Sequence, residues 1–331
     1  MNDRTVSILE QYDFSVEKTW KGRGSILFET NEGVYILKEY KGALSRLSFI
    51  AQRLQKIREN GYTDIEEIVP NKEGEYFCTD YDRSTYIVKR YFEAKECNIR
   101  ERVECLKGIQ ALGRLHNAMT GIVVGDSLEV DSLPLLFELR KRNTELRRVR
   151  RYLNEKGQKS EFERFLQKNY DFFYEKAVKT VELLEKENLK EWCKTIERKQ
   201  SYCHGDYQYH NILMNDSDCY IINFEKMALD NPVKDVYFFA RKLLEKNNWD
   251  LVLGRELIRT YNEERNLQEE DLLQLKYRFL YPEKFWKIVN FYFNSPKTWI
   301  SCKNTEKLEI LLDQEEVKKH INPYNVWIIW R

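Results

Sequence analysis

Proline and glycine are scarce in this sequence, with 6 prolines and 13 glycines among 331 residues. Since both residues interrupt regular elements, their scarcity argues against a low-complexity or disordered chain. With 42% hydrophobic and 33% charged residues, the sequence predicts a folded, soluble, helix-rich protein. A chain of this length accommodates two modest domains or one domain with two lobes.

Long apolar runs and a strong net charge are also missing. No stretch of about eighteen apolar residues occurs, so no membrane span is expected, and the polar start MNDRTVSILEQYDF has no apolar signal core. The net charge of +1 gives no general signal for nucleic acid. The seven cysteines are dispersed, without a CxxC pair or metal-ligand spacing, which indicates reduced thiols in a cytosol.

The most informative stretch covers residues 202–225, with the sequence YCHGDYQYHNILMNDSDCYIINFE. The short apolar segment 212–214 leads into the turn residues 215–218, and a second apolar segment, 220–222, follows them. Two short strands around a polar turn predict a β-hairpin.

This hairpin would bring polar side chains together at its open end. If its turn centres near Ser217, Asn211 and Asn223 are equally distant from the centre and face each other beside Asp206. Three oxygen-bearing side chains at one place suit a hard cation and a reacting hydroxyl group. The alternative is structural, with Asp206 and Asn211 as turn residues and Asn223 as a strand-end cap.

The same stretch carries a family pattern. HGDYQYHNIL resembles the HGDxxxxN motif of aminoglycoside phosphotransferases and choline kinases, and IINFEK resembles their I-D-F-E/D segment, the counterpart of the protein-kinase D-F-G. More scattered matches, notably YNEERNLQEEDLLQLKYRFLYPEKFWKIVNFYFNSPKTW, resemble the CotS-type spore coat proteins of endospore-forming bacteria. The resemblance implies a two-lobed, protein-kinase-like α+β fold with an antiparallel-sheet N-lobe and a mainly helical C-lobe.

The first part of the chain is compatible with such an N-lobe. Alternating apolar residues predict strands over 15–20, 26–30 and 34–40. The loop KGRGS has only two glycines and is not a G-x-G-x-x-G, so an ordinary hairpin and a phosphate loop both remain open. We expect residues 1–92 to form the β-rich nucleotide lobe and 93–331 to form the helical lobe with the catalytic-loop hairpin.

Lys38 lies at the end of the strand GVYILKEY, on the same face as Val34 and Ile36. An ammonium group that ends an apolar face needs an anionic partner or access to solvent. The resemblance implies that Lys38 holds ATP phosphates, and a solvated lysine is the alternative. The helix predicted over 44–60 has no acidic residue between 43 and 58, so it lacks the glutamate that pairs with this lysine in active protein kinases.

The resemblance also implies roles within the hairpin. Asp206 would accept the proton of an acceptor hydroxyl as the γ-phosphoryl group of ATP transfers, and Asn211 would bind a magnesium ion that bridges the phosphates. The second metal ligand is an aspartate in the family, but Asn223 stands here and removes one negative charge. Glu225, two residues on and on the same face of an extended strand, would compensate directly or through water.

Two functions follow from these residues. The first is an ATP- and magnesium-dependent phosphotransferase with a weakened metal site, acting on the hydroxyl group of an unidentified small molecule. The second is a catalytically inactive pseudokinase that serves as a structural or binding module in spore coat assembly. The resemblance implies a location in the mother-cell cytoplasm and the spore coat. Other coat proteins are the expected partners, with no membrane and no nucleic acid.

The remaining predictions concern the helical lobe. Residues 134–154 predict a helix with a basic run over 140–151, interpreted as a solvated face, with an anionic partner as the alternative. In the next helix, Phe165 and Phe172 are expected to face inward. Asp235 is expected to cap the N-terminus of a helix.

Overall fold

The computed structural model describes residues 3–22, 24–123, 135–187, 200–295 and 303–319. The chain divides into two compact units. The sheet unit comprises residues up to 128 together with 200–228, and the helical unit comprises 129–199 together with 229–331. The hairpin segment therefore belongs to the same unit as the N-terminal sheet, and the lobe boundary after residue 92 stays a prediction.

The N-terminal part of the sheet unit is a six-stranded antiparallel sheet, as predicted. Its strand order is β1-β2-β3-β6-β4, and β5 pairs with β6 from the side. The strands are β1 (Val16–Gly22), β2 (Ser25–Thr30), β3 (Gly33–Glu39), β4 (Ile68–Val69), β5 (Cys78–Thr79) and β6 (Thr85–Arg90).

The other elements of the sheet unit include two longer helices and the predicted hairpin. Strands β10, β9 and β7 form a small sheet of their own. The elements are α1 (Asp3–Leu9), α2 (Leu44–Glu59), β7 (Lys95–Glu96), α3 (Arg102–Ala118), β8 (Tyr202–Cys203), β9 (Ile212–Met214), β10 (Cys219–Ile221) and β11 (Ala228–Leu229), the last at the junction of the two units.

The two faces of the large sheet carry different chemistry. On one face Leu37 and Val88, which are cross-strand neighbours, pack into an apolar cluster with the residues of α1. Because side chains alternate along a strand, the opposite face of β3 and β6 carries Lys38 and Lys89. Lys38 lies opposite Ile87 in the register of these two strands. The face that Lys38 shares with Val34 and Ile36 is therefore the one turned away from the α1 cluster.

Among the described residues of the helical unit, five helices build an apolar core. Residues of α4, α5, α8, α9 and α10 contribute to it, whereas α6 and α7 contribute other buried residues. The helices are α4 (Leu135–Glu155), α5 (Glu161–Leu184), α6 (Val233–Lys246), α7 (Leu251–Glu264), α8 (Glu269–Leu280), α9 (Glu283–Asn294) and α10 (Lys303–Lys319). Among the residues that the structure describes, no helix is long and apolar enough to cross a membrane.

Two expectations for the helical unit were wrong. Phe172 lies on the outside of α5 with 46% of its surface exposed, and the adjacent Phe173 is the residue that packs in the core. The reason is that two adjacent positions on a helix point about 100° apart, and only one faces inward. Asp235 lies within the first turn of α6, and Pro232 occupies the N-cap position.

A buried carboxylate starts helix α9. Glu283 is 3% exposed, and its Oε1 lies 2.6 Å from the Lys287 ammonium nitrogen. Burial alone would raise the pKa of Glu283, but Lys287, Arg241 and Arg142 outweigh this effect and lower the pKa to about 2. The ionised form is therefore strongly favoured by the folded state.

This depressed pKa predicts an acid-sensitive contribution to stability. A carboxylate with a lowered folded-state pKa stabilises the fold above its unfolded-state pKa, and the stabilisation is lost as the pH falls toward the folded-state value. Glu283→Gln should remove about 2 kcal/mol of the stability that wild type loses between pH 7 and pH 3. Urea unfolding at several pH values measures this difference.

The control is Glu309→Gln, which removes an exposed carboxylate from α10 of the same unit. It should leave the pH dependence of unfolding unchanged. Parallel pH profiles for wild type and Glu283→Gln would contradict the assignment of acid sensitivity to this carboxylate.

Candidate active site

The predicted hairpin is present, with a register one residue away from the predicted pairing. Ile212 lies opposite Ile221, and the Ile222 N–H donates to the Asn211 carbonyl at 3.0 Å. Asn211 therefore faces Ile222 along the backbone. Asn223 returns toward Asn211 because its own backbone is left-handed, with φ 67° and ψ 61°. Asparagine tolerates this conformation better than most residues.

The amides of Asn211 and Asn223 bind each other. Asn211 Nδ2 donates to the backbone carbonyl of Asp206 at 2.8 Å, which leaves Asn211 Oδ1 as an acceptor. Asn223 Nδ2 donates to that oxygen, also at 2.8 Å. The carbonyl of Asp206 fixes the orientation of the first amide, and the first amide fixes the second. The three predicted residues are thus brought together, as expected.

The Asp206 carboxylate is engaged on both oxygens. Lys226 Nζ lies 2.9 Å from Oδ2, and Gln208 Nε2 donates to Oδ1 at 2.7 Å. Burial alone would raise the pKa of Asp206, but the Lys226 and Gln208 hydrogen bonds outweigh it and hold the pKa below its ordinary value. Asp206 is therefore an ionised carboxylate whose charge is compensated by an exposed lysine.

Gly205 and His204 shape the turn that presents Asp206. The buried His204 ring accepts from the Asp206 N–H through Nδ1 at 3.2 Å and contacts the Ile222 carbonyl through Nε2 at 3.0 Å. Gly205 has φ +81°, and a Cβ atom there would lie 2.1 Å from the Lys226 carbonyl oxygen. Only glycine allows the loop and the 224–226 turn to approach this closely.

The sequence analysis did not single out Glu66, whose carboxylate contacts the segment after the hairpin. Glu66 follows a parallel bridge between Ile65 and Ile221, and its own N–H donates to the Ile221 carbonyl at 2.8 Å. Its carboxylate accepts the backbone N–H groups of Asn223 at 2.9 Å and Phe224 at 3.1 Å. One buried carboxylate thus holds the backbone at the predicted metal-binding position.

Lys89 and Arg46 complete this arrangement and were also missed. Lys89 Nζ lies 2.9 Å from Glu66 and 3.3 Å from the Glu225 carboxylate. Arg46 of α2 donates through Nε and Nη2 to the Glu225 carbonyl, at 3.2 and 3.1 Å, and through Nη2 to the Met227 carbonyl. Helix α2 therefore contacts this segment with a cation rather than with the usual glutamate.

The prediction that Glu225 lies on an extended strand with Asn223 is wrong. Residues 224–226 form a single turn of 3₁₀ helix, so the two side chains leave the backbone in unrelated directions. The Glu225 carboxylate instead reaches Lys89 and lines a cavity of about 550 Å³. We call this space the Lys38 cavity, and its lining includes Lys38, Gly24, Tyr40, Arg46, Ile87 and Glu225.

Lys38 is exposed and lines this cavity, as Lys41 does. Within the described part of the chain, no carboxylate lies within ion-pair distance of the Lys38 ammonium group. Lys89, on the same face of the sheet, is saturated by two carboxylates and is only 10% exposed. Of Lys38 and Lys89, Lys38 is therefore the one available to an incoming anion.

The residues present do not fit a magnesium ion in this arrangement. Magnesium requires several oxygen ligands at close to 2 Å, whereas Asn211 Oδ1 accepts an N–H and the Glu225 carboxylate is bound by Lys89. Among the described residues, no group of three or more His, Cys, Asp or Glu side chains is placed to hold a metal. Magnesium binding stays a prediction that requires the Asn211–Asn223 hydrogen bond to break.

The close approach at Gly205 predicts a specific sensitivity to a methyl group. Gly205→Ala should destabilise the protein by more than Gly74→Ala. Both glycines have a similar positive φ, +81° and +83°, but a Cβ at Gly74 meets nothing within 4 Å. The alanine at Gly74 should cost about 1–2 kcal/mol from its backbone conformation alone, and Gly205→Ala about 1–3 kcal/mol more from strain.

Urea unfolding of the two variants measures this difference. Equal losses of unfolding free energy would mean that the Gly205–Lys226 contact relaxes without cost, and the loop would then be less constrained than the geometry indicates.

Solved structures share the fold along nearly the whole chain. An aminoglycoside phosphotransferase from Alicyclobacillus acidocaldarius superposes with a TM-score of 0.83 at 18% identity, covering 97% of this chain and 94% of that one. The amicoumacin kinase hAmiN, in complex with AMP-PNP, Ca²⁺ and Ami, gives 0.59 at 10% identity, with 93% and 91% covered. A choline/ethanolamine kinase family protein from Mesorhizobium loti gives 0.55 at 12% identity, with 98% and 94% covered.

These likenesses confirm the predicted kinase-like fold, with its antiparallel N-terminal sheet and helical C-terminal region. No curated protein sequence matches the chain. A family model described as "Spore coat putative kinase YutH" matches residues 5–322, which confirms the predicted spore coat resemblance. The chain belongs to this spore coat kinase family.

Proposed function

We propose that this protein binds the phosphates of ATP in the Lys38 cavity and serves the spore coat as a binding module, without efficient phosphoryl transfer. One observation carries the proposal: Asn223 Nδ2 donates to Asn211 Oδ1, the oxygen that a metal ion would need. The Asn223 N–H group occupies the place that a cation would take beside this oxygen. The side chains present therefore favour nucleotide binding over metal-assisted phosphoryl transfer. The proposed partners are other coat proteins, met after synthesis in the mother cell.

The Lys38 cavity supports the choice of a nucleotide phosphate as ligand. Lys38 and Arg46 line the cavity together with Gly24 of the β1–β2 loop. An exposed ammonium group over a half-buried sheet face is a suitable point charge for a phosphate oxygen. The relative hAmiN is described in complex with AMP-PNP, which supports a nucleotide in a fold of this kind.

The state of Asp206 supports weak catalysis. A general base works best when its pKa is close to the operating pH, whereas Lys226 and Gln208 hold the pKa of Asp206 below its ordinary value. The ammonium group of Lys226 also competes with an acceptor hydroxyl for the carboxylate. Asp206 is therefore a poor proton acceptor in this arrangement.

A phosphotransferase acting on a small-molecule hydroxyl is the second candidate, and one observation favours it. The Asp206 carbonyl accepts a hydrogen bond from Asn211 Nδ2 at 2.8 Å, which supports the proposal that this segment acts as a catalytic loop. The Lys226–Asp206 pair involves a lysine that is 66% exposed, and exposed ion pairs contribute only about 0–1 kcal/mol. Opening this pair is therefore easy. Transfer of labelled phosphate from ATP to a panel of amino alcohols and aminoglycosides separates the two candidates.

The first prediction for this site concerns Lys38. Lys38→Ala should weaken ATP binding more than Lys41→Ala does. Lys41 also lines the cavity, but it is 80% exposed and its ammonium group is paired with Glu39 at 3.5 Å, whereas Lys38 has no such partner in the described residues. Titration calorimetry of the two variants and wild type measures the difference. If ATP binding is equally unmeasurable in all three proteins, Lys38 would have a purely structural role.

The second prediction concerns the metal position. Asn223→Asp removes the N–H that binds Asn211 Oδ1 and places two oxygens against each other, an arrangement that calls for a cation. A hydrogen bond to a charged group contributes about 1.5–3 kcal/mol, and about 1.4 kcal/mol is a factor of ten. Magnesium-dependent ATP affinity should therefore rise about tenfold or more.

Without magnesium, Asn223→Asp should lower the melting temperature, because it replaces the hydrogen bond from Asn223 Nδ2 to Asn211 Oδ1 with two oxygens in contact. Asn215→Asp is the control, since it adds a carboxylate to the turn of the same hairpin, away from the amide pair. ATP affinity and melting temperature with and without magnesium are the measurements. An unchanged magnesium dependence in Asn223→Asp would mean that the site is not a degraded metal site.

A further inference from the structure

The Glu66 carboxylate connects two parts of the sheet unit that are 157 residues apart in sequence. Its Oε2 accepts the Asn223 N–H and faces Lys89, and its Oε1 accepts the Phe224 N–H. Glu66 is 2% exposed, so these partners replace water around the carboxylate. Every partner is a donor or a cation, which suits an ionised group.

Lys89 extends this connection to the next side chain of the site. Its ammonium group lies between the carboxylates of Glu66 and Glu225. Burial alone would lower the pKa of Lys89, but the two carboxylates raise it above its ordinary value. Burial likewise acts to raise the pKa of Glu66, and Lys89 with the two N–H donors holds it below the ordinary value. Both groups are therefore charged.

In protein kinases a lysine of the third strand pairs with a glutamate of the following helix, and this pair orders the active site. Helix α2 has no acidic residue except Glu59 at its last position, and Glu59 is paired with Lys56 on the surface. The third-strand lysine, Lys38, has no carboxylate partner in the described residues. A buried lysine–glutamate pair is present in the sheet unit, but it lies on β6 and in the loop that follows α2.

We propose that Glu66 and Lys89 are positioning residues that hold Asn223, Phe224 and Glu225 in the geometry required at the Lys38 cavity. Glu66 fixes the backbone that gives Asn223 its left-handed conformation, and Lys89 directs the Glu225 carboxylate into the cavity wall. Lys89 thus helps to position the backbone of this segment, whereas Lys38 contacts the phosphate. The part that concerns ATP rests on the proposed function, whereas the bracing of the backbone does not.

Backbone amide exchange tests the brace without any ligand. Glu66→Gln keeps the shape of the side chain, but its NH₂ group must face one of the two backbone donors. Exchange at Asn223 and Phe224 should accelerate at least tenfold, while the amides of β2 and β3 remain protected. The matched control is Val88→Ala, which trims the opposite face of β6 and should leave both amides protected.

Lys89 gives a second, independent set of variants. Lys89→Met should accelerate exchange at the same two amides, because it leaves Glu66 buried without its cation, and Lys89→Arg should restore protection. If Glu66→Gln does not fold, this pair of variants still decides the question. Unchanged exchange at Asn223 and Phe224 in Glu66→Gln or in Lys89→Met would overturn the proposal.

ATP titration tests the part of the proposal that concerns the cavity. Glu66→Gln should weaken ATP binding at least fivefold, and Val88→Ala should not, even where both lower the melting temperature equally. If wild type binds no ATP while Glu66→Gln still accelerates exchange at the two amides, the proposed function fails but the positioning role of Glu66 stands. If Glu66→Gln binds ATP as tightly as wild type, the assignment of Glu66 to the cavity is overturned.

Discussion

The geometry of the candidate site depends on one buried ion pair, between Glu66 and Lys89. Either charge alone would be costly to bury, because removing one partner of a buried pair leaves an uncompensated charge. The pair joins the loop after α2 to strand β6, and Glu66 also accepts the Asn223 N–H from the segment after β10. The local conformation of Asn223 is therefore a property of the complete sheet unit rather than of the hairpin alone.

Much of the hairpin could be predicted from sequence because its signals are local. The turn residues 215–218 and the two apolar segments around them specify the strands, and the spacing of Asp206 and Asn211 places both in one loop. The alternation of GVYILKEY correctly placed Lys38 on a face with Val34 and Ile36. These signals act over a few residues, where backbone periodicity determines which side chains are neighbours.

The contacts of Glu66 and Lys89 lacked such a signal. Glu66 and Glu67 are adjacent and chemically alike, yet one is buried and the other partly exposed, and nothing in their spacing separates them. Lys89 did offer a clue, since a charged residue within the apolar run YIVKRY needs a buried partner or an exit to solvent. The position of Glu225 could not be foreseen because residues 224–226 turn instead of extending.

The contact between Phe224 and Glu66 also affects the chemical stability of the Asn223 side chain. Asparagine converts slowly to aspartate when the backbone nitrogen of the next residue attacks the side-chain carbonyl carbon. At Asn223 this nitrogen belongs to Phe224, which is buried and whose N–H is donated to Glu66. The left-handed backbone of Asn223 and the hydrogen bond of its amide to Asn211 restrain the side chain as well. The fold thereby opposes the spontaneous chemical change that would turn this amide site into a carboxylate site.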